Sequence, residues 1–304
     1  MDSARDKITG EIIDAEQLWL IDPVDKSRYV CRGCNLPVIP ASYRPENIPR
    51  PYFTKGKAPH SEGCDVDGQA ILVERAKTAR VSDPLDGFPA AYPDRLILRD
   101  MRVVTGDAPL SDQSPARGKR SSKFGEAEND RRNKTYTAGT IRPICRSFIN
   151  FPFDRDRPLH LPDVWGSTYA QAFWRVRDKD KKIIRYDRNH LYYAPIRWSK
   201  PIETDAWLEV QLNAGEWENK KLMTPYRVRV AWHNWSLAKR NFTLKEIEVA
   251  RHEAIQAGKA NRAEKGWLFF IGYQDETDNS LFIVNDHRLI CCLVVEMIDP
   301  PRDR

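Results

Sequence analysis

The chain has 304 residues, enough for two domains of ordinary size, and 41% of them are hydrophobic. A charged fraction of 30% and a mean hydropathy of −0.63 are typical of a water-soluble protein. No apolar run approaches the ~20 residues that a membrane-spanning helix needs, which excludes that class of membrane protein. The net charge of +6 favours a polyanionic partner without identifying one.

The chain begins MDSARDKITG, which contains no apolar run of the kind found in secretory signals, so we expect a cytoplasmic protein. Its six cysteines would then lie in a reducing compartment, where clustered thiols usually bind metal. Three of them lie between positions 31 and 64, whereas Cys145 stands alone. Cys291 and Cys292 lie within LICCLVV and are expected to pack as small apolar side chains.

The clustered cysteines form two short motifs, Cys31-x-x-Cys34 and His60-x-x-x-Cys64. Four nitrogen and sulfur ligands that close a tetrahedron, with no position left for water, are typical of a structural zinc site. Thiolate ligands favour zinc over magnesium or calcium. A redox role for the Cys-x-x-Cys pair is disfavoured because no thioredoxin-like βαβ pattern surrounds it. The spacing therefore predicts one structural Zn²⁺, bound by these four side chains.

Residues 8–64 also resemble the N-terminal zinc-ribbon segment of bacterial competence proteins of the CoiA type, a segment also found on mobile-element and defence-associated proteins. In that family a histidine closely follows the aromatic-Phe motif, whereas here Thr54 and Lys55 follow Phe53 and the histidine is His60. The resemblance implies a prokaryotic or phage-related protein that acts near DNA. It carries over no nuclease activity, because the nuclease-like region of those proteins is not recognisable here. The matching stretches are TGEIIDAE at 9–16, YVCRGC at 29–34, RPYF at 50–53 and His60-x-x-x-Cys64.

The composition divides the chain into a zinc-ribbon module (1–80), a connecting segment (81–140) and a β-rich domain (141–304). Within the connecting segment, residues 107–140 are dense in Ser, Gly and charge, which predicts a flexible linker because little apolar surface can be buried. The stretch YPDRLILRDMRVV just before it has the composition of a strand.

The third segment begins with a short helical pattern. Ser167 and Thr168 are candidate N-caps for a helix whose apolar face would carry Tyr169, Phe173 and Val176, together with Ala172. The next four runs, KIIRY, HLYYAPIRW, AWLEVQL and YRVRVAW, have strand composition. In the last of them, apolar residues alternate with arginines from position 226 to 232, as in a half-buried strand.

A longer helix is predicted over residues 243–264. Thr243 and Glu246 match a capping box, and Ile247, Ala250 and Ala254, with Ile255, form an apolar stripe. The runs GWLFFIGYQ, LFIV and HRLICCLVVEMI follow as strands, with a turn at DETDNS after the first. Strands, one helix and further strands occur in that order in OB-type barrels. The predicted fold class is α+β: an N-terminal zinc ribbon and a C-terminal OB-like barrel with one long helix.

The C-terminal segment also carries features that suit a single-stranded nucleic acid, DNA or RNA. The run WRVRDKDKKIIRYDR can neutralise several phosphates. Aromatic side chains nearby can stack on bases, and Trp235, in the polar context HNWSLAKRN, is the one most expected to be exposed. The predicted nucleic-acid contacts are Arg175, Arg177, Lys179, Lys181, Lys182, Arg185, Arg188 and Trp235.

The sequence leaves three functions open. The first is a nucleic-acid-binding accessory protein of a mobile element or antiviral system; the second is a protein–protein adaptor in a larger complex. The third is a metal-dependent nuclease that would use Asp163, Asp205, Glu209 or the Glu218-Asn219-Lys220 triplet. ATP-binding, dinucleotide-binding, serine-hydrolase and HExxH metalloprotease motifs are all missing from the sequence. A non-enzymatic role is therefore favoured.

Overall fold

The computed structural model describes residues 1–44, 46–47, 49–64, 66–98, 135–177 and 182–300. The strands are β1 (Ser3–Asp6), β2 (Ile12–Asp14), β3 (Tyr29–Val30), β4 (Ile39–Ala41), β5 (Tyr52–Thr54), β6 (Tyr92–Leu96), β7 (Thr135–Ala138), β8 (Phe173–Arg175), β9 (Leu191–Pro195), β10 (Ile202–Glu203), β11 (Trp207–Glu218), β12 (Lys221–Ala231), β13 (Lys265–Ile271), β14 (Tyr273–Gln274), β15 (Leu281–Val284) and β16 (Ile290–Val295). The helices are α1 (Gln69–Ala76), α2 (Arg142–Asn150), α3 (Tyr169–Ala172) and α4 (Leu237–Lys259), with 3₁₀ turns at Ala15–Leu20, Pro152–Asp154 and His287–Leu289. Within these ranges no helix is both long and apolar enough to cross a bilayer.

The N-terminal module contains two small antiparallel sheets, β2-β1-β3 and β4-β5. Alternating residues of these strands face inward, and the rings of Tyr29 and Phe53 meet with centroids 5.3 Å apart. Ala4, Leu18 and Val38 complete the inner side of this core. The core is small, so the module has little hydrophobic burial of its own to stabilise it.

The connecting segment is more ordered near its end than its composition predicts. Residues 135–138, expected to be part of a linker, form β7 and pair in parallel with β6. The pairing buries Ala138 against Leu96, and the amide of Ile97 donates to the carbonyl of Ala138. The linker prediction is therefore wrong for this stretch, because a partner some forty residues earlier supplies the hydrogen bonds. Residues 107–134 lie outside the described residues.

The sheet β16-β13-β9-β8 is buried on both faces and separates two hydrophobic cores. In β13, Trp267 and Phe269 face one core, whereas Leu268 and Phe270 face the other. The first core contains residues from all three predicted segments, from Ala76 in α1 through β6 and α2 to the strands. Burial on both faces explains why these strands have continuous apolar sequences rather than alternating ones.

A second sheet, β10-β11-β12-β15-β14, covers the other core. The alternation predicted for β12 is confirmed: Tyr226, Val228 and Val230 are fully buried, whereas Arg227 and Arg229 are partly exposed. A bridge between Ile196 and Leu212 links the two large sheets. Among the described strands no sheet closes on itself, so the structure is α+β with several open sheets and the OB-like barrel is not confirmed.

Two shorter predictions are corrected by pairing. The helix expected to extend from Tyr169 to Val176 ends at Ala172, and Phe173 begins β8, which pairs in parallel with β9. The Thr168 side chain does cap this helix, accepting from the amide of Gln171 at 3.4 Å. The run KIIRY, 182–186, forms no strand beyond a bridge at Lys182, because side chains satisfy backbone groups of Ile184 and Tyr186 instead. The Tyr226 hydroxyl, for example, accepts from the Ile184 amide at 2.7 Å.

The long helix α4 begins six residues before the predicted start. Its N-cap is Ser236, whose hydroxyl accepts from the amide of Lys239 at 3.4 Å. Thr243 lies inside the helix and donates to the carbonyl of Lys239, so the predicted capping box is wrong. Glu246 does not reach back to a cap; it is buried and pairs with Arg142. The predicted apolar stripe is confirmed at Ile247, Ala250 and Ala254, which are buried.

Replacing Ser236 with alanine should lower the free energy of unfolding by about 1 kcal/mol, because the first turn of α4 loses its side-chain acceptor. Urea unfolding followed by tryptophan fluorescence measures the change. The matched control is Ser199→Ala, an exposed serine outside any helix, which should leave stability unchanged. Equal stability of the two variants would contradict the assignment of the cap.

Buried ion pairs join the N-terminal module to the rest of the chain. Arg142, at the start of α2, donates to Glu16 at 3.0 Å and to Glu246 of α4, and all three side chains are at most 4% exposed. Arg146 donates to Glu16 at 2.8 Å and lies 3.7 Å from Asp14. The 3₁₀ turn that carries Glu16 is thereby fixed between two helices.

Burial and pairing shift the pKa of these acids in different directions. Burial acts to raise the pKa of Glu16, but the guanidinium groups of Arg142, Arg146 and Arg50 outweigh it and lower that pKa to about 2. For Asp14 burial dominates and raises the pKa to about 6. Burial also raises the pKa of Glu246, against the effect of Arg142. Glu16 is thus the acid that the arginines stabilise most in its charged form.

Candidate functional site

The two cysteine motifs lie in turns beside the small core of the N-terminal module. Cys31 directly follows β3, and its carbonyl accepts from the amide of Asn35, which closes a tight turn around Cys34. Asn35 takes a positive φ of 60°, a conformation that asparagine tolerates better than most residues. His60 and Cys64 lie in the loop between β5 and α1. The fold therefore brings together two segments that residues 35–59 separate in sequence.

The four predicted metal ligands converge on one point. All their ligand atoms lie within 4.8 Å of one another. The sulfurs of Cys31 and Cys64 are 3.7 Å apart, and His60 Nδ1 lies 3.3 Å from Cys34 Sγ and 3.6 Å from Cys64 Sγ. A tetrahedron with ~2.3 Å metal–sulfur and ~2.0 Å metal–nitrogen bonds has edges of about 3.5–3.8 Å. The spacing of these atoms fits a single ion at their centre.

The surroundings of the cluster shift the pKa values of two of its thiols in opposite directions, and burial raises the pKa of Cys64 to about 11. Cys31 and Cys64 are buried against the core of the module, whereas Cys34 and His60 are half-buried. Burial acts to raise the pKa of Cys34, but hydrogen bonds from His60 and the backbone of Ser61 outweigh it and lower that pKa to about 6. A thiolate is the form that binds a metal.

The other three cysteines belong to the larger cores, as the sequence analysis expected for two of them. Cys291 and Cys292 are neighbours on β16 and point to opposite faces of the central sheet. Cys145 of α2 is fully buried in the same core as Cys291. These thiols act as small apolar side chains at the contacts between helix and sheet.

The described parts of the basic run are 175–177 and 182–188, and the predicted nucleic-acid contacts within them are all exposed. Arg177, Lys182 and Arg188 are exposed, and no described carboxylate lies within ion-pair distance of any of them. Arg175 and Arg185 are already engaged. Arg175 lies 3.3 Å from Asp299, and Arg185 donates to the 275–279 turn. Lys179 and Lys181 lie outside the described residues.

Trp235 is less exposed than its sequence context predicts. Its ring packs half-buried against the second core, and Nε1 donates to the carbonyl of Asn285 at 3.3 Å. Its ring also meets the edge of His287. These contacts give Trp235 a packing role, and its contact with nucleic acid stays a prediction.

Sequence reasoning missed an exposed aromatic group beside the basic segment. Trp174 of β8 is 40% exposed and stacks on His190, with ring centroids 4.9 Å apart and planes 24° apart. Trp165 is 43% exposed and meets the edge of the same imidazole at 5.7 Å. The Arg188 guanidinium lies 4.6 Å from the Trp165 ring centre. The neighbouring residue Phe173 is buried, so strand alternation was the signal that could have marked Trp174 as outward-facing.

The acids proposed for a nuclease do not come together. Glu209 is buried and pairs with Arg227 and Arg229 at 3.5 and 2.8 Å, as a structural acid would. The Glu218-Asn219-Lys220 triplet forms the exposed turn between β11 and β12. Among the described residues, the Cys/His cluster is the one group of three or more such side chains that could hold a metal.

A cavity of about 560 Å³ lies between the N-terminal module, residues 136–142 and the start of α4. Its walls include the carboxylates of Asp14, Glu16 and Glu246, and each has a cationic partner in Arg142 or Arg146. These acids are thus committed to ion pairs rather than to a ligand.

Comparison of the chain with protein-family models, curated proteins and solved structures finds no match, so its classification rests on the sites described above.

Proposed function

We propose that this protein is a zinc-containing accessory protein of a mobile-element or antiviral-defence system that binds single-stranded nucleic acid. Three exposed cations of the segment 175–188, Arg177, Lys182 and Arg188, carry the proposal, because they have no acidic partner among the described residues. Cations with no internal partner are free to neutralise phosphates. Many other arginines of the described chain, such as Arg227 and Arg229, are by contrast held in internal ion pairs.

The described parts of the basic segment, 175–177 and 182–188, are held by hydrogen bonds, which supports binding with little loss of conformational entropy. The Tyr186 hydroxyl hydrogen-bonds both the amide and the carbonyl of Arg177 at 3.1 Å. The Tyr192 hydroxyl donates to the carbonyl of Arg188 at 2.6 Å. Arg185 anchors the middle of the segment to the turn after β14. A pre-ordered cationic surface gives up less conformational entropy on binding than a mobile one.

The Cys/His cluster supports the zinc part of the proposal. Three sulfurs and one imidazole nitrogen at tetrahedral spacing leave no position for a reacting water, so the ion would be structural. Zinc would hold together the module that Glu16 and Arg50 attach to the β-rich domain. The metal would then stabilise the protein without contacting the nucleic acid.

The test is a salt titration of binding to a fluorescent 20-nucleotide single strand. We expect binding at ~50 mM salt that weakens steeply by ~200 mM, with a log–log slope of about −0.7 for each phosphate neutralised. The triple variant Arg177→Glu, Lys182→Glu, Arg188→Glu should lose at least tenfold in affinity and flatten the slope by about two.

The control for net charge is a triple reversal at exposed cations elsewhere, Lys26→Glu, Arg75→Glu and Lys200→Glu. It changes the total charge equally and should weaken binding much less. No binding by the unmodified protein at ~50 mM salt would overturn the proposed function, because phosphate contacts are strongest there. Equal losses in the two triple variants would overturn the assignment to this segment.

A further inference from the structure

The aromatic group beside the basic segment has a geometry that core packing does not explain. Trp174 lies on β8, the edge strand of its sheet, and His190 covers one face of its indole. Trp174 is nevertheless 40% exposed, so part of its side chain is open to solvent. Trp165 stands beside the same imidazole and is exposed to a similar extent. Two neighbouring exposed indoles form an apolar patch that is open to a ligand.

The imidazole between these indoles supplies a second observation. His190 is only 6% exposed, and its Nδ1 has no hydrogen-bond partner among the described residues. Buried polar atoms without a partner are uncommon in folded proteins, so each one calls for an explanation. The site therefore combines stacking surfaces with an unpaired ring nitrogen.

The cations around the aromatic group define the charge of its ligand. Arg188 lies over the Trp165 ring, and its guanidinium is exposed at the rim. Arg177 follows Trp174 by three residues and is also exposed. A planar apolar group joined to an anionic backbone would satisfy both the indole face and these cations. An unstacked nucleotide has this chemistry, whereas a base inside a duplex offers no free face.

We propose that Trp174, braced by His190 and flanked by Trp165, stacks on an unpaired base of a single strand, while Arg177 and Arg188 contact the phosphates on either side. This inference rests on the proposed function and adds the mode of recognition. Stacking of this kind accepts every base, because each has a π-face, so we expect binding with little sequence preference. Because stacking needs a base with a free face, a duplex is not the preferred ligand.

The experiment compares a 20-nucleotide single strand with the same strand carrying abasic sites throughout. The unmodified protein should bind the abasic strand between about 5-fold and 150-fold more weakly, the range for loss of one stacked base. Trp174→Ala should weaken binding of the normal strand by a similar factor and bind both strands alike. Its salt dependence should match that of the unmodified protein, because the phosphate contacts remain. Trp174→Phe should recover part of the affinity.

Trp198→Ala is the matched control, since Trp198 is 55% exposed but packs on α4 at Gly258, away from the aromatic group. It should bind both strands as the unmodified protein does. Equal binding of normal and abasic strands by the unmodified protein would overturn the stacking site while leaving the proposed function intact. That comparison needs no variant, so it holds even if Trp174→Ala fails to fold. Absence of any binding would contradict both proposals.

Discussion

Loss of the metal is expected to unfold the N-terminal module while the β-rich domain keeps its sheets. The core of the module is small and includes Cys31 and Cys64 themselves, so hydrophobic burial alone supports little stability. Structural zinc sites in small modules contribute ~10–16 kcal/mol of apparent binding free energy, which is also folding free energy. Without the ion, the three sulfurs and His60 Nδ1 would have no charge to hold them at their present spacing.

Metal analysis and hydrogen exchange test this expectation together. The purified protein should contain about one zinc ion per chain. Cys31→Ser and Cys64→Ser should lose it, and amide protection should fall across residues 1–64. A chelator should give the same pattern, and added Zn²⁺ should reverse it. Protection of β13 and β16 should persist, because their hydrogen bonds lie within the central sheet.

Cys145→Ala provides the control, since Cys145 is a buried thiol far from the cluster in the fold. It should keep one zinc ion per chain even if the cavity it leaves lowers stability by ~1–2 kcal/mol. Protein that contains no metal when purified without chelator, or a Cys64→Ser variant with full zinc content, would remove the basis for a metal site.

Local patterns in the sequence were sufficient for the cluster and for several strands. Ligand spacing depends on residue types a few positions apart, and the 31–34 turn and the 60–64 loop meet as that spacing predicts. The period of two in YRVRVAW identified β12, because one face of that strand is buried and the other is not. In both cases the signal is a short motif, although the two halves of the cluster are separated in sequence and meet only in the fold.

The predictions that failed depended on partners far away in sequence. Thr243 and Glu246 match a capping box, yet Glu246 forms an ion pair with Arg142, 104 residues earlier. The N-cap of α4 is Ser236 instead. The strand β7 exists because β6 lies beside it in parallel, which local composition does not reveal. The exposure of Trp174 likewise follows from the position of β8 at the edge of its sheet.

Replacing Arg142 with methionine is expected to lower the free energy of unfolding by about 3–5 kcal/mol, because it leaves Glu246 buried without its ion-pair partner and removes one of the cations around Glu16. Glu16 and Glu246 lie on different elements, so the loss should also loosen the attachment of the N-terminal module. Urea unfolding at pH 7 measures the change. The control Arg262→Met removes an exposed pair with Glu264 and should cost no more than about 0.5 kcal/mol.

The effect should depend on pH with a definite sign. The pKa of Glu16 is lowered to about 2 in the folded protein from an ordinary value of 4.5, so its ion pairs stabilise the fold above about pH 4.5. That stabilisation is lost as the pH falls toward 2, and the difference in the free energy of unfolding between the unmodified protein and Arg142→Met should shrink with it.

Adding Glu16→Gln and Glu246→Gln to Arg142→Met should restore part of the stability at pH 7, because neutral amides are less costly to bury than unpaired charges. A difference below ~1 kcal/mol at pH 7, or one that grows on acidification, would mean that Arg142 does not hold Glu16 in its charged form.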